Sequence, residues 1–178
     1  LHYNSPYVFQ AYLAAIKASA AVVPVNPVYT PTETAHILND SGAKFLITHH
    51  SLAPKVEQIA DQLPDLGRIV VRADDQSLDQ SLEQAGGLEA NASPAKNYTA
   101  DTPAVTFYTS GTTGKPKGVI LSHRNLCFGG ANIAQNFGLN AADIALAALP
   151  MVHIFCIASP FMGTLASGGS VVVLPAFN

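Results

Sequence analysis

Thr109-Ser110-Gly111-Thr112-Thr113-Gly114-Lys115-Pro116-Lys117-Gly118 lies between two strand-like apolar runs, Ala104-Val105-Thr106-Phe107-Tyr108 and Val119-Ile120-Leu121. These ten residues hold four hydroxyl side chains, three glycines and two lysines. Glycine lets the backbone turn tightly and approach a ligand closely. Successive backbone N–H groups in such a loop form an anion-binding concavity. Hydroxyls donate further hydrogen bonds, and lysine adds a compact positive charge. The combination suits a polyphosphate, and the flanking runs predict strand, loop, strand.

The stretch is not a Walker A loop, which needs four residues between its glycines and Ser or Thr after the Lys. Here Gly111 and Gly114 enclose two residues, and Pro116 follows Lys115. Turns favour Gly, Ser and Thr for conformational reasons alone. Ten residues of mixed hydroxyl, glycine and lysine chemistry outweigh that plainer explanation.

Downstream, Ser122 is placed to cap a helix running to residue 137, with Leu126, Gly130, Ile133 and Phe137 on one side and Gly138 as its stop. Residues 144–149 read as a strand, 155–167 as a helix around Pro160, and 170–174 as a last strand. Upstream, Val8, Phe9, Tyr12, Leu13 and Ile16 recur at helical spacing and predict a helix over 6–20. Residues 22–25 read as a short strand. Thr30-Pro31-Thr32-Glu33 is a helix start with a capping box, and Gly42 ends that helix. A strand over 44–48, a helix capped by Ser51 with Val56, Ile59, Ala60 and Leu63 on one face, and a strand over 68–71 follow. The strands are continuous apolar runs alternating with helices. That predicts an α/β fold with mostly parallel sheets covered by helices. Gly, Asn, Ala, Ser, Pro and Thr dominate 86–103, read as a linker between a first α/β subregion (1–85) and a second (104–178).

The run from Tyr108 to Gly118 resembles the phosphate-binding signature of the adenylate-forming (AMP-binding) enzymes, which include acyl-CoA synthetases, luciferases and peptide-synthetase adenylation domains. Leu149-Pro150-Met151-Val152-His153-Ile154-Phe155 resembles the segment that carries a histidine at the acyl-pocket entrance of acyl- and aryl-CoA synthetases. Peptide-synthetase domains usually carry an Asp-containing motif there, so His153 favours the CoA ligases. Ala21-Val22-Val23-Pro24-Val25-Asn26-Pro27 resembles an early strand of the family.

The resemblance implies ATP-dependent activation of a carboxylic acid, a fatty acid for preference, to an acyl-adenylate and then to acyl-CoA. ATP, Mg²⁺ and CoA are the implied cofactors. Thr109, Ser110, Gly111, Thr112, Thr113, Gly114 and Lys117 become the candidate nucleotide-binding residues, and His153 the candidate catalytic residue. An aryl-CoA ligase, a luciferase-like adenylate-former and a non-catalytic nucleotide-binding module stay open as alternatives. The family's Tyr-Gly-x-Thr-Glu motif, whose Glu holds Mg²⁺, its ribose-binding Asp and its catalytic C-terminal Lys have no match here. The chain, with both of its subregions, is therefore expected to be a piece of the large N-terminal domain of a longer enzyme, inactive alone.

The formal charge of −3 over 178 residues gives no sign of nucleic-acid binding. Lys115, Lys117 and Arg124 are three of only nine basic residues, and Arg124 reads as part of a solvated helix face. Cys127 and Cys156 lack metal or disulfide spacing and are expected to be buried thiols. Their reduced state predicts a cytoplasmic protein, peripheral to a membrane if the acid is a long-chain fatty acid. His49 and His50 read as surface residues, and His2, His36 and His123 show no partner signal. No Cys/His cluster suggests zinc. Residues 125–178 carry one formal charge, Asp143, so the chain by itself is expected to expose apolar surface and self-associate.

Overall fold

The computed structural model describes residues 1–86, 98–109 and 115–175. Helix α1 (Pro6–Lys17) begins on a proline whose missing N–H costs nothing there, and buries Phe9 and Tyr12. The expected strand at 22–25 is instead a single parallel bridge from Val22 to Val105. The Val22 N–H donates to Ala104 O at 2.9 Å, and Val22 O accepts from the Thr106 N–H at 2.8 Å. Pro24 has no N–H to continue the ladder.

Helix α2 (Pro31–Asp40) starts with the expected box. Thr30 Oγ1 accepts from the Glu33 N–H at 3.2 Å, and Glu33 Oε2 accepts from the Thr30 N–H at 2.8 Å. These bonds hold the Glu33 carboxyl below its ordinary range. Strand β1 (Phe45–His49) follows. The single helix expected over 51–63 is three short pieces: a 3₁₀ turn (His50–Leu52), α3 (Ala53–Glu57) and a second 3₁₀ turn (Ala60–Gln62). Val56, Ile59 and Leu63 still share the buried side, but Ala60 is exposed. The first turn is capped by His49, which accepts from the Ser51 N–H, and Ser51 itself caps nothing.

Strand β2 (Arg68–Arg72) pairs in parallel with β1, from Phe45↔Arg68 to His49↔Arg72. Helix α4 (Leu78–Gln84) was not expected, although Ser77 and Gln80 form a full capping box. Most of the expected linker, 87–97, lies outside the described residues. Its end does not: Pro103 already belongs to β3 (Pro103–Thr109), which pairs antiparallel with β4 (Lys117–Ser122).

Helix α5 (His123–Phe137) is capped by Ser122 and stopped by Gly138 at φ 64°, a left-handed conformation that costs glycine little. Leu126 and Gly130 are buried, but Phe137 is 72% exposed, a departure from the expected face. Strand β5 (Ile144–Ala147) pairs in parallel with β6 (Ser170–Val173). Between them runs one helical stretch: α6 (Ile154–Cys156), a π-helical segment (Ile157–Gly163) around Pro160, and α7 (Thr164–Ser167). The wider π turn fits a proline that cannot donate to the helix ladder.

The result is a mixed α/β fold with three two-stranded sheets among the described residues, two parallel and one a hairpin. Two apolar cores organise it. One joins Phe9 and Tyr12 of α1 to Val105 and Phe107 of β3 and to Met151 and Phe161, with the Phe9 and Phe161 rings stacked at 4.0 Å. The other joins α2 to β1 and α3, and Tyr108 packs against its edge. Alternation along β3 therefore sends Phe107 to one core and Tyr108 to the other. The hairpin is held between them. Cys156 is buried, which pushes its thiol up, whereas Cys127 is exposed, against expectation.

Candidate functional site

Thr109 is the last residue of β3 and pairs with Lys117, the first of β4. Residues 110–116 thus bridge the hairpin, and both stem residues are exposed. Ser110, Gly111, Thr112, Thr113 and Gly114 lie outside the described residues. What the structure defines is how the loop is mounted.

Helix α2 holds both stems. On the β3 side, the Tyr108 hydroxyl donates to Asp40 Oδ2 at 2.7 Å. Burial, then the Asp40 carboxylate, pushes that hydroxyl above the ordinary phenol range, so it stays a donor. On the β4 side, His36 Nε2–H donates to Pro116 O at 3.2 Å. His36 and Asp40 lie four residues apart, on one face of the helix. Gly118 completes the mounting: a Cβ there would meet Thr106 Cγ2 at 2.9 Å and Tyr108 Cζ at 3.2 Å. Only glycine lets the Tyr108 ring cross the neighbouring strand at this distance.

Arg124 does not join the loop lysines. Its Nε donates to Asp101 Oδ1 at 2.8 Å and its Nη2 to Asp101 Oδ2 at 3.1 Å. This exposed fork lowers the Asp101 carboxyl and raises the guanidinium. The positive charge left beside the loop is that of Lys115 and Lys117, both exposed.

His153 stands at the N-cap of α6, past the C-terminal end of β5. That end of a parallel strand is where open α/β sheets bind ligands. Its backbone is locked: the N–H donates to Pro150 O at 3.0 Å, and the carbonyl accepts from the Cys156 N–H at 3.1 Å. Its side chain is exposed. Asn4 fixes the surrounding turn. Its Nδ2 donates to Leu149 O at 2.9 Å and Leu174 O at 3.2 Å, and its Oδ1 accepts from the Met151 N–H at 2.9 Å. Beside the turn is an apolar cavity of about 260 Å³, lined by Phe137, Leu146, Leu149, Phe155 and Pro160 among others. The hairpin and the His153 turn rest on a shared core, through Phe107 from one and Met151 from the other.

Asn4, His36, Asp40 and Tyr108 were missed in the sequence as supports of the site. The capping-box helix α2 was visible, but which strands its far face would touch was not. His2 also gains a partner, accepting from Arg72 Nε at 3.0 Å.

Residues 110–116 close a hairpin held between two apolar cores. The AMP-binding enzyme family matches residues 1–178, and the chain belongs to that family. It is 35% identical to 4-coumarate–CoA ligase 1 of Oryza sativa subsp. japonica, covering 98% of this chain and 32% of that protein. It is 34% identical to tyrocidine synthase 3 of Brevibacillus parabrevis, covering 97% of this chain and 2% of that protein. Among solved structures, the long-chain-fatty-acid–CoA ligase FadD1 of Archaeoglobus fulgidus superposes with a TM-score of 0.84 at 27% identity, covering 99% of this chain and 34% of that one. The chain thus spans about a third of the length of the ligases it matches. Identity alone does not choose the acid: the coumarate ligase and the tyrocidine synthase are almost equally similar. Among the described residues, no helix is long and apolar enough to cross a membrane.

Proposed function

We propose that this chain supplies the triphosphate-gripping hairpin and part of the acid pocket of an ATP-dependent acid–thiol ligase, with a fatty acid as the acid and CoA as the thiol. In the first step a carboxylate oxygen attacks the α-phosphorus of ATP. The bond to the bridging oxygen breaks, pyrophosphate leaves, and an acyl-adenylate forms. In the second step the thiol sulfur attacks the acyl carbon, AMP leaves, and the thiol proton passes to solvent.

Such transfers depend mostly on positioning and charge stabilisation. Thr109, Ser110, Gly111, Thr112, Thr113 and Gly114 would present amides and hydroxyls to the β- and γ-phosphates, with Lys117 beside them. Donors fixed in advance stabilise the charge that grows on departing pyrophosphate. The observation that carries this reading is the double tether of the loop stems to α2, through Tyr108–Asp40 and His36–Pro116. It holds the loop mouth in place before ATP arrives. Mg²⁺, when bound, would neutralise phosphate charge; the candidate residues include no carboxylate, so none of them is assigned to it.

His153, at the strand end beside the apolar cavity, would shape the entrance for the acid's carboxylate. The cavity's apolar lining supports a hydrophobic tail. A flat aryl acid is the second reading, favoured by Phe137 and Phe155 in that lining.

The test is ATP–pyrophosphate exchange in the intact protein. Thr109→Ala with Ser110→Ala is expected to lower it about 10²–10³-fold, the usual cost of removing preorganised donors. Unchanged exchange refutes the loop assignment. Running the same assay over fatty, aryl and short polar acids decides the substrate class.

A further inference from the structure

His49, His50 and Asp74 come together at the parallel sheet of β1 and β2. His49 ends β1, His50 opens the 3₁₀ turn, and Asp74 lies two residues beyond β2. The parallel register, with His49 opposite Arg72, brings the strand ends level. We propose that His49, His50 and Asp74 form a binding site for a divalent first-row transition ion, with Zn²⁺ the best fit.

The geometry supports this in three ways. Their ligand atoms all lie within 4.8 Å of one another. His49 Nε2 is 2.7 Å from Asp74 Oδ1, and His50 Nε2 is 3.0 Å from Asp74 Oδ2. Ligands around a small ion with bonds of about 2.0–2.2 Å sit roughly 3.3 Å apart. An ion can therefore replace the two ring protons with small side-chain shifts. Second, Ser51 Oγ is 2.8 Å from His49 Nδ1. With metal on Nε2, Nδ1 carries the proton and donates it to Ser51 Oγ, the usual outer-shell support of a ligating imidazole, in place of the longer bond it otherwise accepts from the Ser51 N–H at 3.4 Å. Third, the site is accessible. His49 is buried and fixed, while the side chains of His50 and Asp74 are 49% and 75% exposed, leaving a coordination position for water.

Two imidazoles and a carboxylate select zinc, nickel, copper or cobalt. Mg²⁺ prefers oxygen ligands and keeps its waters, so the Mg²⁺ that accompanies ATP should pass this site by. Arg72 sets a limit on affinity. Its Nη2 is 3.9 Å from Asp74 Oδ1, and it is held in place by Ala73 O, Gln76 O and His2 Nε2. A permanent charge so near an incoming cation makes the site weaker than a closed four-ligand zinc centre.

The test is a Co²⁺ titration of the intact protein, stripped with a chelator, read by visible d–d absorption. One saturable band, displaced by Zn²⁺ and lost in both His50→Ala and Asp74→Ala, is expected. Zn²⁺ should also raise the Tm of the parent protein by about 2–4 °C and leave both variants unmoved. No band in the parent protein, or the same band in the variants, overturns the proposal. The parent titration decides the matter even if a variant misfolds. ATP–pyrophosphate exchange should be the same in His50→Ala as in the parent, which separates this site from the phosphate loop.

Discussion

The part of the chain up to Gly86 and the part beyond Lys115 use apolar residues differently. In the first, Ile37 and Val70 are 0% exposed, and the helices and β1 close over a shared core. In the second, Phe128, Phe137 and Ile144 are each about 70% exposed, and Leu146, Phe155 and Val172 also face outward. The second region has a core too, with Cys156 and Ile157 0% exposed, yet it leaves more large apolar side chains open than the first. Residues 125–178 have only Asp143 as a formal charge, too little for a solvated face. Contiguous exposed apolar surface of this kind marks a contact area.

The largest expected effect tests that contrast directly. Ile37→Ala should cost about 2–5 kcal/mol in chemical denaturation, as buried truncations do. Ile144→Ala in the same chain should fall within about 0.5 kcal/mol. If Ile144→Ala is as costly as Ile37→Ala in the intact protein, that face is covered there. The chain by itself should then scatter light as oligomers at high concentration, less so with Phe137→Ser and Phe155→Ser; a clean monomer would break the contrast.

Next in size is Gly118→Ala. The added methyl has no room beside Thr106 and Tyr108, so a cost of about 1–3 kcal/mol is expected. Because the displaced ring anchors the loop stem, pyrophosphate exchange should fall as well; stability lost with exchange intact would make Gly118 purely structural. Tyr108→Phe removes only the bond to Asp40, worth about 1 kcal/mol. Its diagnostic readout is a raised KM for ATP with the KM for the acid unmoved, and equal changes in both would separate the tether from the nucleotide.

The smallest effect belongs to the first region. Thr30→Ala should cost about 1 kcal/mol by removing the α2 cap. Glu33 has a folded-state pKa below its ordinary value of 4.5. Its contribution is therefore present above that value and is lost as pH falls below it. Glu33→Gln should flatten the acid limb of the stability curve; an unchanged limb would show that the box carries no charge term.

Local signals were legible where they act alone. Thr30 and Ser122 capped their helices, and Gly138 stopped α5, because a cap is decided within a few residues. The hairpin was legible because two apolar runs flank its loop. Contacts distant in sequence were not. Pro24 ended the expected strand at Val22, but the choice of Val105 as its partner depends on packing. His49 and His50 looked like surface residues because Asp74 is 24 or more positions away. For the site, the loop's place between two strands was readable, whereas its mounting on His36 and Asp40 required knowing which strand passes behind α2.

Because one helix secures both ends of the hairpin connection, the gap between those ends is set like the jaws of a clamp bolted to a single bar. Sliding or tilting α2 would carry both ends of the loop as one piece. Nothing can spread that mouth without first breaking the Tyr108 or His36 bond.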